Sequence, residues 1–162
     1  MNRRPLAAVA SLLALAACAP DRHGDLRREV ELRPAGAPGR LLFRGVGVGS
    51  SREEAREVFG EDALGPGDGA RLGDHRTVDF GTDLQVLWNT EGGAVDHLVL
   101  TFTGNPIALG KLSDRWLEVF RHAGADCGEH ACYWTEGGVD LATLTTRRGW
   151  YGPTEVAVFV DR

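Results

Sequence analysis

Ser51-Arg-Glu-Glu-Ala-Arg-Glu-Val-Phe59 is echoed by Ser113-Asp-Arg-Trp-Leu-Glu-Val-Phe120, which ends in the same Glu-Val-Phe 61 residues later. Each copy starts on a serine, and each is followed by runs that alternate as strands do. After the first copy come Thr77-Val-Asp-Phe80, Asp83-Leu-Gln-Val-Leu-Trp88 and Val95 to Phe102. After the second come Cys132-Tyr-Trp134, Val139-Asp-Leu-Ala-Thr-Leu144 and Thr154 to Val160. The parallel predicts an α+β fold built from two tandem helix-plus-three-strand antiparallel units, about 41–104 and 105–162, forming one layered domain with the helices on one sheet face. A unit of about 60 residues is marginal alone, so the two would share a core.

Local signals support these elements. Ser50 or Ser51 with Glu53 or Glu54 three residues on makes a capping box, Ala55, Val58 and Phe59 face inward, and Gly60 ends the helix. The adjacent Glu53 and Glu54 are explained by the helix dipole. Leu109, Leu112, Trp116, Leu117 and Phe120 form the apolar stripe of a second helix, which Gly124 stops. In the strands, Leu84, Val86 and Trp88 take one face while Gln85, Leu87 and Asn89 take the other. Glu91-Gly92-Gly93 turns the chain into a strand whose Leu98, Leu100 and Phe102 face the helices and whose His97, Val99 and Thr101 line the open face.

The N-terminus carries a targeting signal. Arg3 and Arg4 precede an apolar run from Leu6 to Ala17 that ends in Leu15-Ala16-Ala17-Cys18. That run is shorter than the roughly 20 residues a membrane-spanning helix needs. Leu-Ala-Ala-Cys resembles the bacterial lipobox. The resemblance implies that residues 1–17 are a lipoprotein signal peptide and that Cys18 becomes an acylated first residue holding the chain to a bilayer. Ala19, rather than Asp, follows Cys18, which by the same resemblance points to the outer membrane over the inner, facing the periplasm. Residues 19–40, with Pro20, Pro34 and Pro38 and few large apolar groups, read as a flexible tether in which Glu29-Val30-Glu31-Leu32 alternates like an edge strand. The globular domain then covers 41–162.

The 162 residues carry 18 Lys plus Arg against 23 Asp plus Glu, a net charge of −5, and cleavage after residue 17 would remove Arg3 and Arg4 as well. Such a balance argues against nucleic acid as a partner. With Cys18 assigned to lipid, Cys127 and Cys132 remain as an even pair, and export to an oxidising compartment favours a disulfide between them. Asp126, Cys127, His130 and Cys132 crowd potential metal ligands into seven residues, but a structural zinc site commonly joins two separated pairs and the chain offers no second one. No metal and no cofactor is expected.

The helix-then-meander pattern has a further likeness. Gly-Val-Gly49-Ser-Ser-Arg-Glu-Glu-Ala-Arg-Glu-Val-Phe-Gly60 followed by a strand pair with a Gly-Gly turn resembles the unit of the BamE (SmpA/OmlA) lipoproteins and of the duplicated β-lactamase-inhibitor-protein fold. The likeness spans about 41–160. It implies contact with envelope proteins in assembly or maintenance, or, as an alternative, inhibition of a toxin or hydrolase. Gly65-Pro66 and the Cys127 to Cys132 insertion depart from the pattern.

Searches for chemistry find none, so no catalytic residue is assigned and the protein is read as a non-enzyme. Gly45-Val-Gly-Val-Gly49-Ser-Ser lacks the Lys of a P-loop, and the last glycine of a Gly-x-Gly-x-x-Gly starting at Gly47 would fall on Arg52. Gly-x-Ser-x-Gly and His-Glu-x-x-His are absent from the sequence. His75, His97 and His130 read as surface or turn residues. The feature with binding character is aromatic: Arg147-Arg148-Gly149-Trp150-Tyr151-Gly152-Pro153 between the last two strands. Trp, Tyr and Arg dominate interface hot spots, so Trp150, Tyr151 and Arg148 are candidate partner-binding residues, joined by Leu87, His97 and Val99 on the open face; the other reading of the loop has Trp150 fold over the sheet end to finish the core while Tyr151 snorkels.

Overall fold

The computed structural model describes residues 29–37, 39–60, 74–79 and 84–161. The expected signal peptide, Cys18 and the first part of the expected tether lie outside the described residues, as do Gly65-Pro66 and Phe80. In chain order come β1 (Val30–Leu32), β2 (Leu41–Phe43), α1 (Arg52–Phe59), β3 (Asp74–Asp79), β4 (Leu84–Glu91), β5 (Ala94–Thr103), α2 (Pro106–His122), β6 (Asp126–Cys127), β7 (Ala131–Glu136), β8 (Val139–Gly149) and β9 (Gly152–Val160).

β1 and β2 form a two-stranded ribbon, and the other strands form one antiparallel sheet in the order β3-β4-β5-β9-β8-β7-β6. Two of its hairpins turn on Gly-Gly pairs, Gly92-Gly93 and Gly137-Gly138, both residues of each pair having positive φ. Two-residue turns with that geometry match the twist of the strands they join, and glycine adopts it without a Cβ clash.

One sheet face is the core. Trp88, Leu98, Val160, Ala142 and Trp134 lie side by side across five strands, as do Val86, Leu100, Val158, Leu144 and Cys132. All ten are at most 3% exposed. Leu109, Leu112, Trp116 and Phe120 of α2 pack against them, with Trp116 6.1 Å from Phe102 and 6.4 Å from Phe120 between ring centroids. Leu41, Phe43 and Val46 around β2, and Ala55 and Phe59 of α1, complete the same cluster.

The expected α+β fold of two equivalent helix-plus-three-strand units is therefore corrected. The described chain is mostly β, with 50% strand and 24% helix. The runs of strands do not close separately, because β5 pairs with β9 along six residues and fuses them into one sheet. The helices are not equivalent either. α1 has 8 residues and docks by its start, where Gly49 N–H donates to the Val95 carbonyl (2.7 Å), Val95 N–H to Ser50 (2.8 Å) and Arg52 N–H to Gly93 (3.0 Å). α2 has 17 residues, starts with Asn105 as cap and Pro106 in the first turn, and alone runs against strands β6 to β9. The apparent sequence repeat hides a difference of role. Ser51 is a true cap in a complete capping box with Glu54, whereas Ser113 lies inside α2, buried, with its hydroxyl 2.9 Å from that of Thr146. The ribbon is the other departure. Val30 and Leu32, inside the stretch read as a tether, pair with β2 and pack against the core, and Arg44 holds Glu29 at 3.0 Å.

Candidate protein-contact site

The β8–β9 hairpin outruns the sheet. On one side the last β7 residue in register is Ala131, opposite Thr145, and on the other the last β5 residue is Thr103, opposite Glu155. Thr146 N–H still donates to the His130 carbonyl (2.9 Å), and past it the ladder continues between β8 and β9 alone, up to the Gly149–Gly152 pair. The root of this finger is fixed. Pro153 is buried, a side chain at Gly152 would come within 3.5 Å of Pro106 at the start of α2, and Arg147 meets Glu155 at 3.5 Å across the hairpin. A register shift between Arg147 and Arg148 bends the strand just before the tip.

At the tip stand Trp150 and Tyr151, 101% and 94% exposed, with Arg148 exposed beside them. The reading in which Trp150 folds over the sheet end is thereby corrected: neither ring finishes the core. The turn itself does not require them. The two comparable hairpins use Gly-Gly, while Trp150 and Tyr151 occupy the same two-residue position without positive φ. Large rings with nothing to pack on lower solubility and contribute almost nothing to folding.

The second predicted patch lies on the open sheet face. Leu87 pairs with Val99, Val99 with Phe159, Phe159 with Thr143 and Thr143 with Tyr133, so these five side chains form one row across the sheet. Leu87 and Val99 are half-buried, and Phe159 and Tyr133 are 39% and 55% exposed. His97 is in the neighbouring row, opposite Asn89. Phe159 and Tyr133 are missing from the sequence-derived set. Alternation could have found both, since Tyr133 sits between the buried Cys132 and Trp134, and Phe159 between the buried Val158 and Val160.

The two patches do not merge. Tyr151 and Phe159 are eight residues apart along an extended strand, about 25 Å, so Leu87, His97 and Val99 belong to a different surface from Arg148, Trp150 and Tyr151. Cys127 and Cys132, opposite each other in the β6–β7 pair, are joined by a disulfide, so neither sulfur is available to a metal. No described helix is long and apolar enough to cross a membrane. Comparison of the chain with family models, with curated proteins and with solved structures finds no match.

Proposed function

We propose that the protein is a lipid-anchored component of the bacterial cell envelope that works by protein contact, without chemistry of its own, and that the β8–β9 finger is its principal contact element. The observation that carries this reading is the pair of fully exposed rings, Trp150 and Tyr151, on a finger with a fixed root. A rigid aromatic tip loses little conformational entropy on binding, and aromatic and Arg side chains are the usual anchors of interfaces. The lipobox-like Leu15 to Cys18 supplies the membrane attachment, and the acidic body leaves that role to the acyl chains. The partner is an envelope protein, and the role is assembly or maintenance of the envelope.

One feature favours a second reading, an inhibitor or immunity lipoprotein directed at a toxin or hydrolase. A two-residue aromatic tip on a narrow hairpin has the shape to enter a concave cleft. Photocrosslinking separates the two. A photoreactive phenylalanine analogue in place of Tyr151, activated in intact cells, should give a discrete adduct. Adducts with resident envelope proteins support the assembly role, and a single hydrolytic enzyme supports inhibition. If position 151 gives no adduct while a similar probe at Phe159 does, the finger is not the contact element.

A further inference from the structure

We propose that the tip of the β8–β9 finger and the first two turns of α2 form one apolar, cationic surface, and that it takes an acidic amphipathic segment of a protein partner, in which Asp or Glu flank large apolar side chains. The inference rests on the contact role given to the finger and names the chemistry of what the finger meets.

Two parts of the chain build this surface. A side chain at Gly152 would come within 3.5 Å of Pro106, so Tyr151 and Ile107, the sequence neighbours of that pair, belong to one corner of the molecule. Ile107 is 68% exposed, and Trp150, Tyr151 and Ile107 are the three most exposed large apolar side chains among the described residues. Both parts are fixed before any partner arrives. Asn105 caps α2 by accepting Ile107 N–H at 2.9 Å, and Ser113 of the same helix meets Thr146 of β8, hydroxyl to hydroxyl, at 2.9 Å. Lys111, one helical turn after Ile107, is exposed on the same side of α2.

Charge is segregated in the same way. The chain holds 23 Asp plus Glu, yet none falls between Asp96 and Asp114 or between Asp140 and Glu155. Those two stretches supply the corner, and they carry Lys111, Arg147 and Arg148. Arg147 is balanced by Glu155 at 3.5 Å, whereas Lys111 and Arg148 have no carboxylate partner among the described residues. The first turn of α2 has no acidic residue, unlike that of α1 with Glu53 and Glu54, so the positive end of the helix dipole adds to the field. Complementarity then selects carboxylates on the partner, while the two rings and Ile107 supply the apolar contact. The net charge of −5 opposes approach to an anionic bilayer, whereas a protein segment meets the corner locally, within a Debye length of about 8–10 Å.

The test uses the full chain in isolated membranes, with a photoreactive phenylalanine analogue placed at Tyr151 or at Ile107, a position the contact role does not by itself require. Both should crosslink the same protein, through a peptide in which Asp or Glu flank apolar residues. That peptide, resynthesised as the probe, should bind the purified chain and lose about tenfold or more in affinity when its Asp and Glu are replaced by Asn and Gln. Lys111→Glu combined with Arg148→Glu should weaken the acidic peptide by at least as much, and Lys111→Arg combined with Arg148→Lys should keep its affinity. Arg121→Glu, at the other end of α2 and about 22 Å from Pro106, should change nothing. Silence at position 107 while 151 reacts, a crosslinked segment without acids, or affinity unmoved by the charge reversals would overturn this surface and leave the finger's contact role standing. Phospholipid or a second copy of this chain as the only adduct, or no adduct from either position, would overturn both.

Discussion

Replacing Trp150 and Tyr151 together by alanine should uncouple stability from binding. In the free protein both rings are in water, at 101% and 94% exposure, so their removal uncovers no core and leaves no cavity. The expected change in folding free energy is within about 0.5 kcal/mol, the range of ordinary surface substitutions, and the melting temperature should move by roughly 2 °C or less. Binding should respond quite differently. An aromatic side chain buries about 150–250 Å² when fully covered, which at about 25 cal/mol per Å² is a gross gain of roughly 4–6 kcal/mol per ring. Association and side-chain ordering consume much of that, leaving the 2 kcal/mol or more typical of a hot spot, a loss of at least about 30-fold in affinity. Thermal melts of the purified variant, paired with quantitative capture of partner from detergent-solubilised membranes, read both quantities. A variant that melts many degrees lower, or one that retains its partner at wild-type level, would refute the reasoning.

Two further outcomes concern the core and the staple. Trp116→Ala removes a ring that is 0% exposed between Phe102 and Phe120 and should cost about 3–5 kcal/mol, measured as a lower denaturation midpoint at unchanged slope. Reducing the Cys127–Cys132 disulfide, which closes a loop with a sequence separation of 5, should remove about 2 kcal/mol. Melts with and without reductant check this, and coincident curves would show that the β6–β7 hairpin holds without it.

What was legible in the chain was local. Period-2 alternation placed Leu84, Val86 and Trp88 inside and Leu87 outside, and likewise Leu98, Leu100 and Phe102 inside and Val99 outside, because a strand admits only two faces. The Ser51 cap was legible because its capping box lies within four residues. What failed was non-local. The pairing of β5 with β9 leaves no trace in either strand's own pattern, so equivalent halves were inferred where one continuous sheet exists. Shared Glu-Val-Phe endings made the stretch from Ser113 look like a copy of the one from Ser51, although the Ser113 hydroxyl meets Thr146 from inside α2. Val30 and Leu32 gain their order from β2 and the core beneath, which a composition rich in proline and charge conceals. Of the candidate site, the aromatic content of the finger was readable but its exposure was not, since a Trp at a sheet end can fold inward as easily as project.

The claim on which the cellular role rests is the fate of the thiol at position 18. Mass spectrometry of the N-terminal peptide of the mature protein, isolated from membranes, tests it most directly. The account predicts a chain that begins at Cys18 and carries diacylglycerol on its sulfur. A chain recovered in aqueous fractions with an unmodified cysteine, or one that keeps residues 1–17, would contradict it.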